Sequence, residues 1–103
     1  MPKETEWTIS FYCGCQKCCN KEDNVSADGT QLTNADAYKV CAAPKTFAFG
    51  TEITISGGWS GAVTVHDRGG AIQGKRIDVY CGDKSKHQEA LNNGMKKNCT
   101  VEW

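Results

Sequence analysis

Short runs of β-branched and aromatic residues recur along the chain, separated by glycine-containing turns, and this rhythm leaves little room for anything but an all-β fold. Trp7-Thr8-Ile9-Ser10-Phe11-Tyr12 alternates as a strand does, and so do Thr51 to Ile55, Ala62 to His66 and Arg76 to Tyr80. Asn98 to Trp103 reads as a closing strand, and Tyr38 to Ala42 as a weaker one. Ser56 to Gly61 has the composition of a hairpin connection, as does the stretch from Arg68-Gly69-Gly70-Ala71 onwards. One helix is expected from about Asp83 to Asn93, where Lys, Gln, Glu, Ala and Leu gather before a Gly94 stop. Lys21 to Ala37 is polar and turn-rich and reads as a long surface loop. About six strands and one short helix predict a six-stranded β-barrel. With 103 residues, that barrel is a single domain spanning 1–103.

Charge narrows the partners. Twelve basic side chains balance twelve acidic ones, evenly spread, so no basic face invites a nucleic acid. Hydrophobic residues at 39% and charged residues at 23% are a globular balance and argue against disorder. No run approaches the roughly 18 apolar residues of a membrane helix. Met1 to Glu6 lacks an apolar signal-peptide region. Export is therefore expected to rely on a segment outside this sequence or on another route, such as host lysis.

Seven cysteines are many for a chain of this length, and four of them are Cys13, Cys15, Cys18 and Cys19. Small extracellular domains use disulfides to compensate for a thin core, each contributing on the order of 2–4 kcal/mol. The competing reading is a structural zinc site, because Cys15 and Cys18 have Cys-x-x-Cys spacing. There is no second Cys-x-x-Cys, the only histidines are His66 and His87, and adjacent Cys18 and Cys19 diverge as ligands. Disulfide staples are the favoured expectation, with reduced thiols a third reading and neither metal nor cofactor expected. The odd count leaves one thiol over in a monomer, the expected state. A redox role for Cys15 and Cys18 lacks a βαβ setting.

The stretch from His66 to Tyr80 is the richest in chemistry. Alternation puts Ile77 and Val79 on one face and Arg76, Asp78 and Tyr80 on the other. Asp67 sits where the preceding strand runs into its turn. A hairpin across 68–75 would bring the two carboxylates together, with Gly69, Gly70 and Gly74 keeping the turn low enough for a bulky ligand. Glycoside chemistry uses paired carboxylates, one giving a proton to the leaving oxygen and a neighbour raising its pKa. The plainer alternative is that Asp67 caps a turn and Asp78 pairs with Arg76 on the surface. His66 is expected to point away from Asp67 and to be structural.

The stretch Asp67-x-Gly-Gly-Ala-Ile-x-Gly-x-Arg-Ile-Asp78-Val-Tyr80 resembles the signature of the 3D (three-aspartate) domain family, which includes stationary-phase survival proteins and the catalytic region of membrane-bound lytic transglycosylase A. The resemblance extends to Phe11-Tyr12-Cys13-x-Cys15-x-x-Cys18-Cys19, to Val25-Ser26-Ala27-Asp28-Gly29-Thr30, to Gly50-Thr51-Glu52-Ile53 and to Gln88-Glu89-Ala90-Leu91 with Gly94. It covers nearly the whole chain. It implies a double-psi β-barrel and lytic transglycosylase activity on peptidoglycan glycan strands, at an extracellular or cell-wall location. Asp78 matches the family's catalytic acid/base and Asp67 its supporting carboxylate. The third aspartate, which normally precedes a proline, is replaced here by Ala43 before Pro44.

On that reading, Ser26, Thr30 and the backbone of Gly69, Gly70 and Ala71 are candidate substrate-binding groups, with Arg76 and Tyr80 beside the acid. Tyr12, Tyr80 and Trp59 are candidate sugar-stacking platforms, against the plainer reading as core or surface aromatics. Three rivals stand beside the enzyme. The first is a non-catalytic glycan-binding barrel, favoured by Ala43. The second is an aspartic-protease-like dyad, since Asp67-Arg68-Gly69 loosely resembles Asp-Thr-Gly, though the motif occurs once and its middle residue differs. The third is a cysteine-rich structural or inhibitory protein.

Overall fold

The computed structural model describes residues 2–14, 25–69 and 72–103. Among them are six strands: β1 (Lys3–Gly14), β2 (Val40–Ala42), β3 (Glu52–Ser56), β4 (Gly61–Asp67), β5 (Arg76–Asp83) and β6 (Lys96–Glu102). They close into a barrel in the order β1-β5-β2-β4-β3-β6. The β1–β5 and β2–β4 seams are parallel and the other four antiparallel. This is the double-psi β-barrel, with the short helix α1 (His87–Asn93) packed outside it.

Strand alternation builds the core. Ile9, Phe11 and Cys13 on β1 point inward with Ile77, Val79 and Cys81 on β5, and they meet Ile53, Ile55, Val63, Val65 and Val101 from the other strands. Burying each Val or Ile side chain contributes roughly 1.5–3 kcal/mol. A second cluster lies on the outer face, where Tyr12, Val40, Ala42 and Tyr80 are covered by Leu32 and Ile72 from the loops. The helix starts later than the sequence suggests. Asp83 caps a 3-10 turn at Lys84–Lys86, its carboxylate accepting from the Ser85 amide at 2.9 Å, and only then does α1 begin. Gly94, at φ 62, closes it.

Two expectations are corrected. Residues 68–75 are not a hairpin, because β2 lies between β4 and β5 and pairs with both. The parallel β2–β4 seam requires a crossover, and the chain that follows β4 must pass the end of β2 to reach β5. Among the described residues the expected disulfide staples are also not seen. Cys13, Cys41, Cys81 and Cys99 are all buried and are not bonded to one another. They serve as small apolar side chains, the role that burial favours for cysteine. Cys15, Cys18 and Cys19 lie outside the described residues, so the zinc alternative with Cys13 does too.

Candidate active site

Ala42 joins the two carboxylates. It is the Cα partner of Asp78 across the antiparallel β2–β5 seam and of Asp67 across the parallel β2–β4 seam. The aspartates are therefore two strands apart, with backbones roughly 9–10 Å from one another at ordinary strand spacing. A bulge sets this up. Cys41 opposes Val65 but Ala42 opposes Asp67, so His66 is an extra residue on β4. Without the bulge, alternation would turn Asp67 inward with Val63 and Val65; with it, Asp67 reaches the outer face.

Three donors hold the Asp67 carboxylate: the Tyr12 hydroxyl and the amides of Ala27 and Arg68, each at 2.9 Å. The Asp78 carboxylate accepts from the Ser10 hydroxyl at 3.0 Å, and Ser10 Oγ in turn accepts from Arg76 Nε and Nη2, both at 3.3 Å. Burial pushes the Asp78 carboxyl up to about 6, against the pull of the Ser10 hydrogen bond and the Arg76 charge. The negative charge of Asp67 adds the smallest upward push. Desolvation, rather than the like-charge neighbour the sequence suggests, is thus the main reason Asp78 can hold a proton near neutral pH.

The loop at 25–31 closes one side. An isolated bridge pairs Val25 with Gln31, and the buried Ser26 hydroxyl donates to Asp28 at 2.6 Å. The Thr30 amide donates to Ser26 Oγ and to Asp28, and His66 Nδ1 lies 2.6 Å from the other Asp28 oxygen. Burial lifts the Asp28 carboxyl, but the hydrogen bonds from Ser26, His66 and Thr30 outweigh it and hold the group well below the usual carboxylate range. His66 thereby pins this loop to β4.

The other side is a groove of about 550 Å³ that begins one residue past Asp67 and is lined by Lys45, Thr46, Arg68, Gly69, Gln73 and Gly74 among others. Neither aspartate lines it. The groove therefore adjoins the carboxylates rather than enclosing them. Arg68 shapes it, donating to the carbonyls of Ala43 (3.4 Å), Asp67 (3.2 Å) and Phe47 while its guanidinium covers the Phe49 ring at 4.2 Å. A Cβ at Gly69 would come within 2.9 Å of Ile72 Cγ1, so a larger residue there would displace that side chain.

Of the residues named from sequence, Asp67, Asp78, Arg76, Ser26 and Thr30 gather around this face. Ser26 and Thr30 are used internally by their loop. Gly69 lies in the groove, and Gly70 and Ala71 lie outside the described residues. Tyr80 is corrected: it is fully buried in the outer cluster against Tyr12, ring centroids 5.5 Å apart, and offers no face to a ligand. Tyr12 is buried too and works through its hydroxyl. Trp59 packs on the core against Phe11 and Tyr38. Sequence reasoning passed over Ser10, although its alternation with Ile9 and Phe11 marks it as outward-facing, and Arg68, whose role depends on loop geometry.

The family model of the 3D domain matches residues 39–102, more than half of the chain. The chain belongs to the 3D domain family. Its fold is also similar to that of the Streptomyces papain inhibitor (SPI), with a TM-score of 0.64 and 18% identity over 98% of this chain and 93% of the inhibitor. A likeness at that identity speaks for the barrel alone. No curated protein sequence matches the chain. Within this 3D domain, the position of the third aspartate, Ala43, is fully buried, and the Arg68 guanidinium reaches its carbonyl.

Proposed function

We propose that the chain is a lytic transglycosylase that cuts the bond between N-acetylmuramic acid and N-acetylglucosamine in peptidoglycan, with Asp78 as its single acid and base. The observation that carries this reading is the half-buried Asp78 carboxyl, raised to about 6 and fixed by Ser10, with the oriented Asp67 carboxylate across Ala42. Protonated Asp78 gives its proton to the glycosidic oxygen as the bond from muramyl C1 breaks. The resulting carboxylate takes the proton of the C6 hydroxyl, and O6 bonds to C1 to close a 1,6-anhydro ring. No water is consumed and Asp78 ends protonated, so a second nucleophilic carboxylate is unnecessary. Asp67, held by three donors, supplies fixed negative charge near the positive charge that develops at C1. An extracellular or cell-wall setting follows from such a substrate.

A second reading, a barrel that binds glycan or protein without turnover, is favoured by Ala43 and by the inhibitory activity in the name of the Streptomyces neighbour. Digestion of purified sacculi, analysed by mass spectrometry, separates the two. Anhydro-muropeptides from the wild type and none from Asp78→Asn support the enzyme. Retention on sacculi without products, or inhibition of papain, supports the binder.

A further inference from the structure

We propose that the groove beside Asp67 is a subsite for the carboxylate of the peptide that the glycan carries. This inference rests on the peptidoglycan reading and deepens it. The groove contains two cations, Lys45 and Arg68, and among the described residues no acidic one lines it. Among the described residues no carboxylate pairs with either one. Arg68 spends its hydrogen bonds on the carbonyls of Ala43, Asp67 and Phe47, none of which carries a charge. Lys45 is exposed and free to swing. In a chain whose net charge is zero, this is a local excess of positive charge, and it adjoins the two aspartates rather than overlapping them.

The sugars of the glycan are uncharged once the muramyl lactyl group is joined to its peptide; the carboxylates belong to the peptide. A cationic groove next to the reacting centre therefore recognises the peptide and not the sugar ring. A space of about 550 Å³ also falls in the range of small-ligand sites and accommodates a few peptide residues. The division of labour follows from the side chains. Arg68, immobilised by carbonyls and by Phe49, sets the potential, and Lys45 reaches out to form the charge-assisted hydrogen bond. The enzyme would thus prefer glycan that still bears its peptides.

The test is an NMR titration of the intact chain with a synthetic stem tetrapeptide bearing free carboxylates, beside the same peptide with its carboxylates amidated. Saturable shifts are expected at the amides of Thr46, Gly69 and Gly74, weakening with added salt and absent for the amidated peptide. Lys45→Glu, an exposed change that spares the fold, is expected to weaken binding about five-fold or more. No saturable shift at millimolar peptide, equal binding of the amidated form, or unchanged binding by Lys45→Glu each overturns the subsite. The tetrapeptide contains no glycosidic bond, so the two proposals fail separately. Peptide binding without anhydro products sinks only the transglycosylase, and cleavage without peptide binding sinks only the subsite.

Discussion

Ser10 and Asp78 face each other across the parallel β1–β5 seam, hydroxyl to carboxylate at 3.0 Å, and the same hydroxyl oxygen receives both Arg76 nitrogens. Ser10 therefore orients the acid and couples it to a cation, while burial works in the opposite direction. Removing the hydroxyl removes a hydrogen bond that favours the ionised form. Activity that needs protonated Asp78 is expected to fall as pH rises past about 6 in the wild type. In Ser10→Ala that fall moves to higher pH. A kcat/KM profile against pH that stays in place, or moves down, would show that Ser10 does not govern the acid.

Asp78 also makes a stability prediction. Its folded-state pKa of about 6 lies above the ordinary 3.8, so the folded chain holds the proton more tightly than the unfolded one. Stability is then greatest below the unfolded value and declines as pH rises through the folded one. Asn keeps an oxygen for Ser10 and carries no charge. Asp78→Asn is therefore expected to be more stable than wild type at neutral pH by up to about 2–3 kcal/mol, with a gain of only about 0.5 kcal/mol near pH 4. Glycan cleavage by the same variant is expected to fall about 10²–10⁴-fold. Urea unfolding at the two pH values checks the first expectation, and anhydro-product release the second.

Tyr12→Phe isolates the orientation of Asp67. The ring remains packed on Tyr80 in the outer cluster, and the 2.9 Å hydrogen bond to the carboxylate is lost. The Ala27 and Arg68 amides still hold the other oxygen. A stability loss of about 1 kcal/mol is expected. Turnover should fall while sacculus binding is retained; a variant with full turnover would mean that Asp67 needs no positioning by Tyr12.

Much of this site is legible from two local rules. Alternation alone assigns Ile77 and Val79 to the core and Asp78 to the opposite face, and the strands, helix and glycine stop lie close to where periodicity puts them. What alternation does not carry is the partner across each seam. Nothing in the sequence between Asp67 and Asp78 says that β2 intervenes, and so the route by which the carboxylates approach is misread as a hairpin. The bulge at His66 is equally hidden, because it exists only relative to Cys41 and Ala42 on another strand. Tyr80 shows the limit of the outward-is-exposed rule: loop residues Leu32 and Ile72 cover that face and bury it. The cysteines mislead for a different reason, since a high count suggests stapling whereas four of them simply fill the interior.

That interior role is directly measurable at Cys41. Burial pushes its thiol up to about 12, with the Asp78 charge adding to the rise, Arg68 opposing it and Asp67 adding the least. The nucleophilic thiolate is then absent at ordinary pH. Iodoacetamide at about pH 8 is expected to leave Cys41 unlabelled in the folded chain and to label it in urea without prior reduction. Labelling that requires a reductant would reveal a disulfide instead.

The last expectation concerns the loop that closes the site. Asp28 receives Ser26, Thr30 and His66, and the neighbouring Ala27 amide donates to Asp67, so an event at Asp28 is transmitted to the Asp67 carboxylate within one residue. Because the folded Asp28 carboxyl is held well below the usual range, its contribution is present above the ordinary carboxylate pKa and is lost only on strong acidification. Asp28→Asn keeps a side-chain oxygen but removes the charge facing His66. Faster hydrogen exchange at the Ala27 amide is expected once intrinsic rates are divided out. Turnover should fall with it, since Asp67 loses an ordered donor. Protection at Ala27 equal to wild type would show that the loop is held by Asp67 alone and that the His66 pin is dispensable.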